Sequence, residues 1–138
     1  MNAVFLDTVG LIAVWDATDQ WHHAADAAYQ KLLSQGRPLV TTEMVLLECG
    51  NAAARRPYRP RVNALRRVLI EGRLLVVPKP EEVEAAWVAY DTSAAGGAGI
   101  VDHLSFQVMR RLGLNEAFTN DQHFQAAGFT TLLLSSGK

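Results

Sequence analysis

Asp7, Glu48, Asp102 and Asp121 are acids whose neighbours are hard to reconcile with ordinary surface positions. Asp7 ends the apolar run Ala3-Val4-Phe5-Leu6, and Glu48 lies inside Met44-Val45-Leu46-Leu47-Glu48-Cys49. Asp102 follows Ile100-Val101, and Asp121 sits between Phe118-Thr119-Asn120 and Phe124. An ionised carboxylate among apolar neighbours is costly unless it is paired or bound to a cation. Four such acids suggest one shared partner, and a divalent metal ion is the simplest. Carboxylate oxygens, rather than histidine or cysteine thiolate, favour the hard ions Mg²⁺ or Mn²⁺. A metal held this way polarises a phosphate and helps generate hydroxide from water, with Asp121 or Glu48 able to orient that water. The chemistry implied is phosphodiester hydrolysis.

Each acid also has a structural role open to it. Asp7 can cap a helix beginning near Val9 or Gly10, and Asp121 can act as an N-cap. Asp102 can complement a helix dipole. Glu48 can pair with Arg55 or Asn51, although its helix reads as apolar on most sides. The four are dispersed along the chain, so no local loop motif explains them and the fold must assemble the site.

The elements that would do so alternate between strand and helix. Strands are expected over residues 3–6, 38–41, 74–77, 116–119 and 130–134. Helices are expected over 8–15, 20–34, from Thr41 or Thr42 to about 54, 61–71, 81–92, 100–112 and 121–126. Asp19 caps the second helix and Gly36 closes it. Pro57 and Pro60 interrupt the chain before the fourth helix, and residues 93–99, Ser-Ala-Ala-Gly-Gly-Ala-Gly, read as a flexible loop. Alternation of this kind means an α/β fold, three layers around a mostly parallel sheet of four to five strands. Ligands of such sheets bind beyond the carboxyl ends of the strands, where strand order switches. Asp7 and Asp121 fall at that edge, and Glu48 lies on a helix that begins there.

The chain has 138 residues and is 49% hydrophobic, enough for one domain over 1–138 and too little for two. Its 20% charged content argues against disorder. A single cysteine, Cys49, excludes an internal disulfide and fits a reducing cytoplasm; it reads as a small buried apolar residue. The amino terminus lacks the basic start of a signal peptide. No apolar run approaches the roughly 18 residues of a membrane span. The net charge of −1 names no partner, but Arg55, Arg56, Arg59, Arg61, Arg66, Arg67 and Arg73 cluster, with Glu71 the only acid among them. Arg55, Arg56 and Arg59 are candidates for gripping an RNA backbone, with Tyr58 stacking on a base. A solvated helix face or a contact for an acidic partner fits the cluster equally. His22, His23 and His103 read as surface or packing residues, and Trp15, Trp21 and Phe124 as packing.

Two other assignments for Asp7 fail on spacing. A phosphoaspartyl phosphatase places a second aspartate two residues on, where this chain has Val9. A signalling receiver needs an adjacent acidic pair and a lysine near the site, and the lysines here are Lys31, Lys79 and Lys138.

Four segments together resemble the PIN-domain family, in particular VapC-like toxin ribonucleases of type II toxin–antitoxin pairs. They are Leu6-Asp7-Thr8, residues 41–48 (Thr-Thr-Glu-Met-Val-Leu-Leu-Glu), residues 101–111 (Val-Asp-His-Leu-Ser-Phe-Gln-Val-Met-Arg-Arg) and residues 118–124 (Phe-Thr-Asn-Asp-Gln-His-Phe). The likeness spans essentially the whole chain. It implies a PIN-like α/β/α domain and makes Asp7, Glu48, Asp102 and Asp121 both the metal-holding and the catalytic acids. It implies an endoribonuclease using Mg²⁺, with Mn²⁺ as a substitute, that leaves a 5′-phosphate and a 3′-hydroxyl. It also implies homodimerisation and a cognate antitoxin that inserts a segment, an arginine foremost, near the acids. The alternative is a non-catalytic PIN-like module that binds RNA or a protein partner.

Overall fold

In the computed structural model, which describes residues 2–136, five parallel strands form one sheet in the order β3-β2-β1-β4-β5. The strands are β1 (Val4–Leu6), β2 (Leu39–Thr42), β3 (Leu75–Val76), β4 (Glu116–Phe118) and β5 (Thr130–Thr131). The helices are α1 (Thr8–Trp15), α2 (His22–Ser34), α3 (Glu43–Ala53), α4 (Arg59–Glu71), α5 (Pro80–Thr92), α6 (Ile100–Leu112), α7 (Gln122–Ala126) and α8 (Leu132–Ser136). The α/β class and parallel sheet match the sequence expectation.

Central strands of a parallel sheet are covered on both faces and need continuous apolar runs. Val4, Phe5 and Leu6 of β1 are fully buried, as are Ala117 and Phe118 of β4. β1 pairs with β2 on one side, Val4 opposite Leu39, and with β4 on the other, Leu6 opposite Phe118. Strand order therefore reverses between β1 and β4, and the crevice between their carboxyl ends is where this topology seats a ligand.

Two local features fix that crevice. Gly10 of α1 packs against β4 so closely that an added Cβ would lie 2.1 Å from the Phe118 carbonyl oxygen. Behind β4, Phe124 of α7 meets Phe106 of α6 edge to face at 4.8 Å, and Phe129 flanks both rings. The aromatic cluster locks α6 and α7, and so the elements bearing Asp102 and Asp121, onto one side of the sheet.

The last segment departs from expectation. Residues 130–134 were expected as strand, but only Thr130 and Thr131 pair, with Glu116 and Ala117, and α8 begins at Leu132. The neighbouring β4 is three residues long, so the ladder ends, and Leu133 turns into the core with its N–H donating to the Thr119 carbonyl. α4 also starts earlier than expected, at Arg59, because Pro60 is accommodated in a first helical turn. Glu82, in the first turn of α5, is buried: it accepts the Lys79 N–H at 2.7 Å and the Arg111 guanidinium at 2.8 Å, clasping α5 to α6.

Gly10→Ala is expected to destabilise the protein by about 3 kcal/mol or more in urea unfolding. Gly50→Ala, on an exposed helical position with nothing near its Cβ, is expected to be neutral or stabilising by up to about 1 kcal/mol. Equal effects would contradict the close approach of α1 to β4.

Candidate metal and active site

Asp7 follows β1 and precedes α1, and it is 2% exposed. It occupies the N-cap position of α1, yet its side chain makes no capping hydrogen bond. Thr119, buried just beyond β4, donates its hydroxyl to Asp7 Oδ2 at 2.8 Å and accepts the Asp121 N–H at 3.0 Å. One threonine thus joins the ends of the two central strands. The other oxygen, Asp7 Oδ1, is buried with no hydrogen-bond partner. A buried carboxylate oxygen without a donor is costly and calls for a ligand.

The other acids are placed less severely than the sequence suggested. Glu48 is exposed, as is Leu47 beside it at 61%; α3 turns that face to solvent rather than into the core. Thr8 orients Glu48 by donating its hydroxyl to Oε1 at 2.6 Å. Asp102, half-buried, sits in the first turn of α6. Asp121 is the N-cap of α7: its Oδ1 accepts the His123 N–H at 2.8 Å. The structural roles open to Asp102 and Asp121 are therefore filled, and both residues also face a shared space. Asp7, Glu48, Asp102 and Asp121 line one open cleft of about 380 Å³, together with Thr8, Val9 and Asn51.

Crowding of the acids leaves an electrostatic mark. Burial, then the neighbouring Asp102 carboxylate, pushes Asp7 up to about 7, against weaker opposing influences of the Thr119 hydroxyl and the Thr8 backbone. Burial, then repulsion from Asp121 and Glu48, pushes Asp102 up to about 6. Like charges drawn together without a counter-charge favour protonation. One oxygen of Asp102, one of Asp121 and a ring nitrogen of His123 lie within 4.8 Å of one another, close enough to share a metal ion.

Sequence reasoning gave no role to Thr8 in this cleft or to Thr119 and His123 beside its acids, and weighed Asn51 only as a partner for Glu48. Thr119 and His123 had a signal, since each lies two residues from Asp121, but only a known α7 start gives that spacing meaning. The arginines fall elsewhere. Arg55 is exposed; Arg56 pairs with Asp16 at 3.0 Å; Arg59 donates to the Ala54 carbonyl at 3.3 Å. None of the three lines the acidic cleft. Tyr58 is 9% exposed and stacks on Trp15 at 6.2 Å, so it is an internal prop and not a platform for a base. Cys49 is fully buried, and burial raises its thiol to about 12, leaving it inert.

Residues 4–130 match the PIN domain family. The chain belongs to that family, and its structure is VapC-like. It is similar to VapC20 of Mycobacterium tuberculosis, a toxin that cleaves the sarcin–ricin loop, with a TM-score of 0.75 and 27% identity over 92% of this chain and 96% of that one. No curated protein matches the chain in sequence.

In the unfolded chain Asp7 titrates near 3.8 and in the folded one near 7. Between those values the folded state binds more protons, so this contribution is present at the acid end and is lost as pH rises through about 7. Calorimetry of the metal-free protein is expected to show a thermal midpoint that falls across this interval. Asp7→Asn should flatten the fall and unfold at a higher temperature than the parent at about pH 8; an unaltered slope would contradict the burial of an unpaired carboxylate.

Proposed function

We propose that this protein is a metal-dependent endoribonuclease, the toxin of a type II toxin–antitoxin pair, hydrolysing RNA phosphodiester bonds at the Asp7–Glu48–Asp102–Asp121 cleft. The observation that carries the reading is Asp7 Oδ1: a buried oxygen without a donor, among acids whose burial and mutual repulsion raise their affinity for protons. A cation relieves both. Asp7, Asp102 and Asp121 are the residues that would hold it, and an oxygen-rich donor set fits Mg²⁺, with Mn²⁺ as a substitute. When bound, such an ion supplies positive charge to the scissile phosphate and acidifies a coordinated water.

The chain's own groups prepare the cleft for that chemistry. Thr119 fixes the Asp7 carboxylate through Oδ2, leaving Oδ1 as its outstanding acceptor. Thr8 fixes Glu48 through Oε1, and the exposed Glu48 is the acid best placed to orient an attacking water. Asn51 lines the cleft one helical turn past Glu48 and offers an amide to the RNA. Arg55, Arg56 and Arg59 extend the RNA contact beyond the acids through phosphate charge.

VapC20's substrate makes the sarcin–ricin loop of ribosomal RNA the first RNA to test here. A cognate antitoxin would neutralise the protein by placing an arginine among the acids. A single domain over residues 1–138, acting in the cytoplasm as a homodimer, completes the proposal. Supporting it, no helix among the described residues is long and apolar enough to cross a membrane, and α5 leaves Trp87, Val88 and Tyr90 exposed for a second copy.

Purified protein given ribosomes or total RNA is expected to cleave with Mg²⁺ and to stop on adding chelator. Asp7→Asn should lower turnover at least about 100-fold while the fold persists by circular dichroism. Full activity in that variant, or in chelator, would overturn the assignment. Arg55→Ala should flatten the dependence of RNA affinity on salt by about 0.7 in log–log slope if it touches one phosphate of a single strand. An unchanged slope would remove Arg55 from the interface.

A further inference from the structure

His123 is placed to do more than follow Asp121 in the chain. Its Nδ1 lies 2.8 Å from Asp121 Oδ1, and its Nε2 lies 3.1 Å from the carbonyl oxygen of Gly96. Both ring nitrogens thus face protein oxygens rather than open space. A histidine nitrogen that ligates a metal must present a lone pair to the ion. His123 therefore lies within reach of a metal site, yet both its nitrogens are turned to protein acceptors.

The two acceptors belong to different elements. Asp121 starts α7. Gly96 lies in the segment that leads into α6, three residues before its N-cap, Gly99, and six before Asp102. That segment is a closed turn and not a loose loop: the Gly97 N–H donates to the Ala94 carbonyl at 2.9 Å. Gly96 is its third residue, with φ of +88°, the left-handed value that a type II turn demands and that glycine supplies without strain. The turn presents the Gly96 carbonyl to the imidazole.

We propose that His123 is a positioning residue that straps the Ala94–Gly97 turn to Asp121 and so sets the separation of Asp102 and Asp121 across the cleft. The inference rests on the proposed metal reading for its consequence, but the strap itself is a property of the metal-free protein. Asp121 Oδ1 takes both the His123 N–H and the ring Nδ1–H, so this oxygen is held by the strap and the cap uses none of Oδ2. The side chain is 43% exposed, so substitutions there should be tolerated.

Two near-isosteric variants separate the two bonds. In His123→Asn the amide nitrogen replaces Nδ1 and keeps Asp121, while the reach to Gly96 is lost. In His123→Gln the amide nitrogen replaces Nε2 and keeps Gly96, while the bond to Asp121 is lost. Hydrogen exchange of the metal-free protein should show amides 94–100 exchanging about tenfold faster in His123→Asn and near parental rates in His123→Gln. Mn²⁺ calorimetry should show the reverse weighting: about tenfold weaker binding in His123→Gln and a smaller loss in His123→Asn. With RNA, His123→Asn should raise KM more than it lowers kcat. Unchanged exchange in His123→Asn overturns the strap, as does loss of Mn²⁺ binding in both variants with no change in exchange, the result of direct ligation. If the parent protein itself binds no Mn²⁺, the metal reading fails, and the exchange comparison still decides the strap.

Discussion

A carboxylate sealed into the protein at the end of the central strand is the constraint on which the rest of the site depends. Asp7 follows three fully buried residues and is itself almost wholly enclosed. Its position cannot relax toward water without pulling β1 from between β2 and β4. One oxygen is satisfied by Thr119, and the other is not satisfied at all. The fold therefore stores an unfavourable interaction at the point where strand order reverses, the place where parallel sheets bind their ligands. Unpaired polar groups in an interior of this kind are tolerated where function requires them.

Around that residue the structure grades its acids. Asp7 is enclosed, Asp102 and Asp121 are half-buried, and Glu48 is exposed. The gradient runs from a group sealed off from water to one that reaches it freely. The hydroxyls of Thr119 and Thr8 hold the two extremes in place. Asp121 and Asp102 keep ordinary helix-terminal duties while facing the cleft, so the helix starts they serve also fix their carboxylates there. A helix start fixes a side chain more firmly than a loop does, and the site borrows that rigidity.

Much of this was legible in the sequence because the signals were strong and local. Val4-Phe5-Leu6 reads as a buried strand in an alternating chain, and α1 and α6 span the expected residues 8–15 and 100–112, α6 starting where the glycine loop ends. Convergence of the acids followed from Asp7 and Asp121 lying past strand ends, Asp102 lying near a helix start and Glu48 lying on a helix that leaves a strand end. What could not be read depended on tertiary partners. The burial of Glu48 was overestimated because Leu47 and Leu46 point to opposite sides of α3, one to solvent and one to the core, which periodicity over a short helix does not resolve. Tyr58 sits in a basic stretch that suggests RNA, but Trp15, far away in sequence, claims its ring. The trailing leucines read as strand, but β5 pairs with β4 only at Thr130 and Thr131 and α8 begins at Leu132. Thr119 and His123 gain meaning only once β1 and β4 stand side by side and the glycine turn closes over α7.

The most direct test is crystallographic. Crystals of the wild-type protein soaked in Mn²⁺ and measured at the manganese absorption edge are expected to show an anomalous peak inside the cleft, bonded to Asp7 Oδ1 and to carboxylate oxygens of Asp102 and Asp121. A cleft without a peak at saturating Mn²⁺, or an ion held elsewhere while Asp7 Oδ1 stays unliganded, would contradict the account.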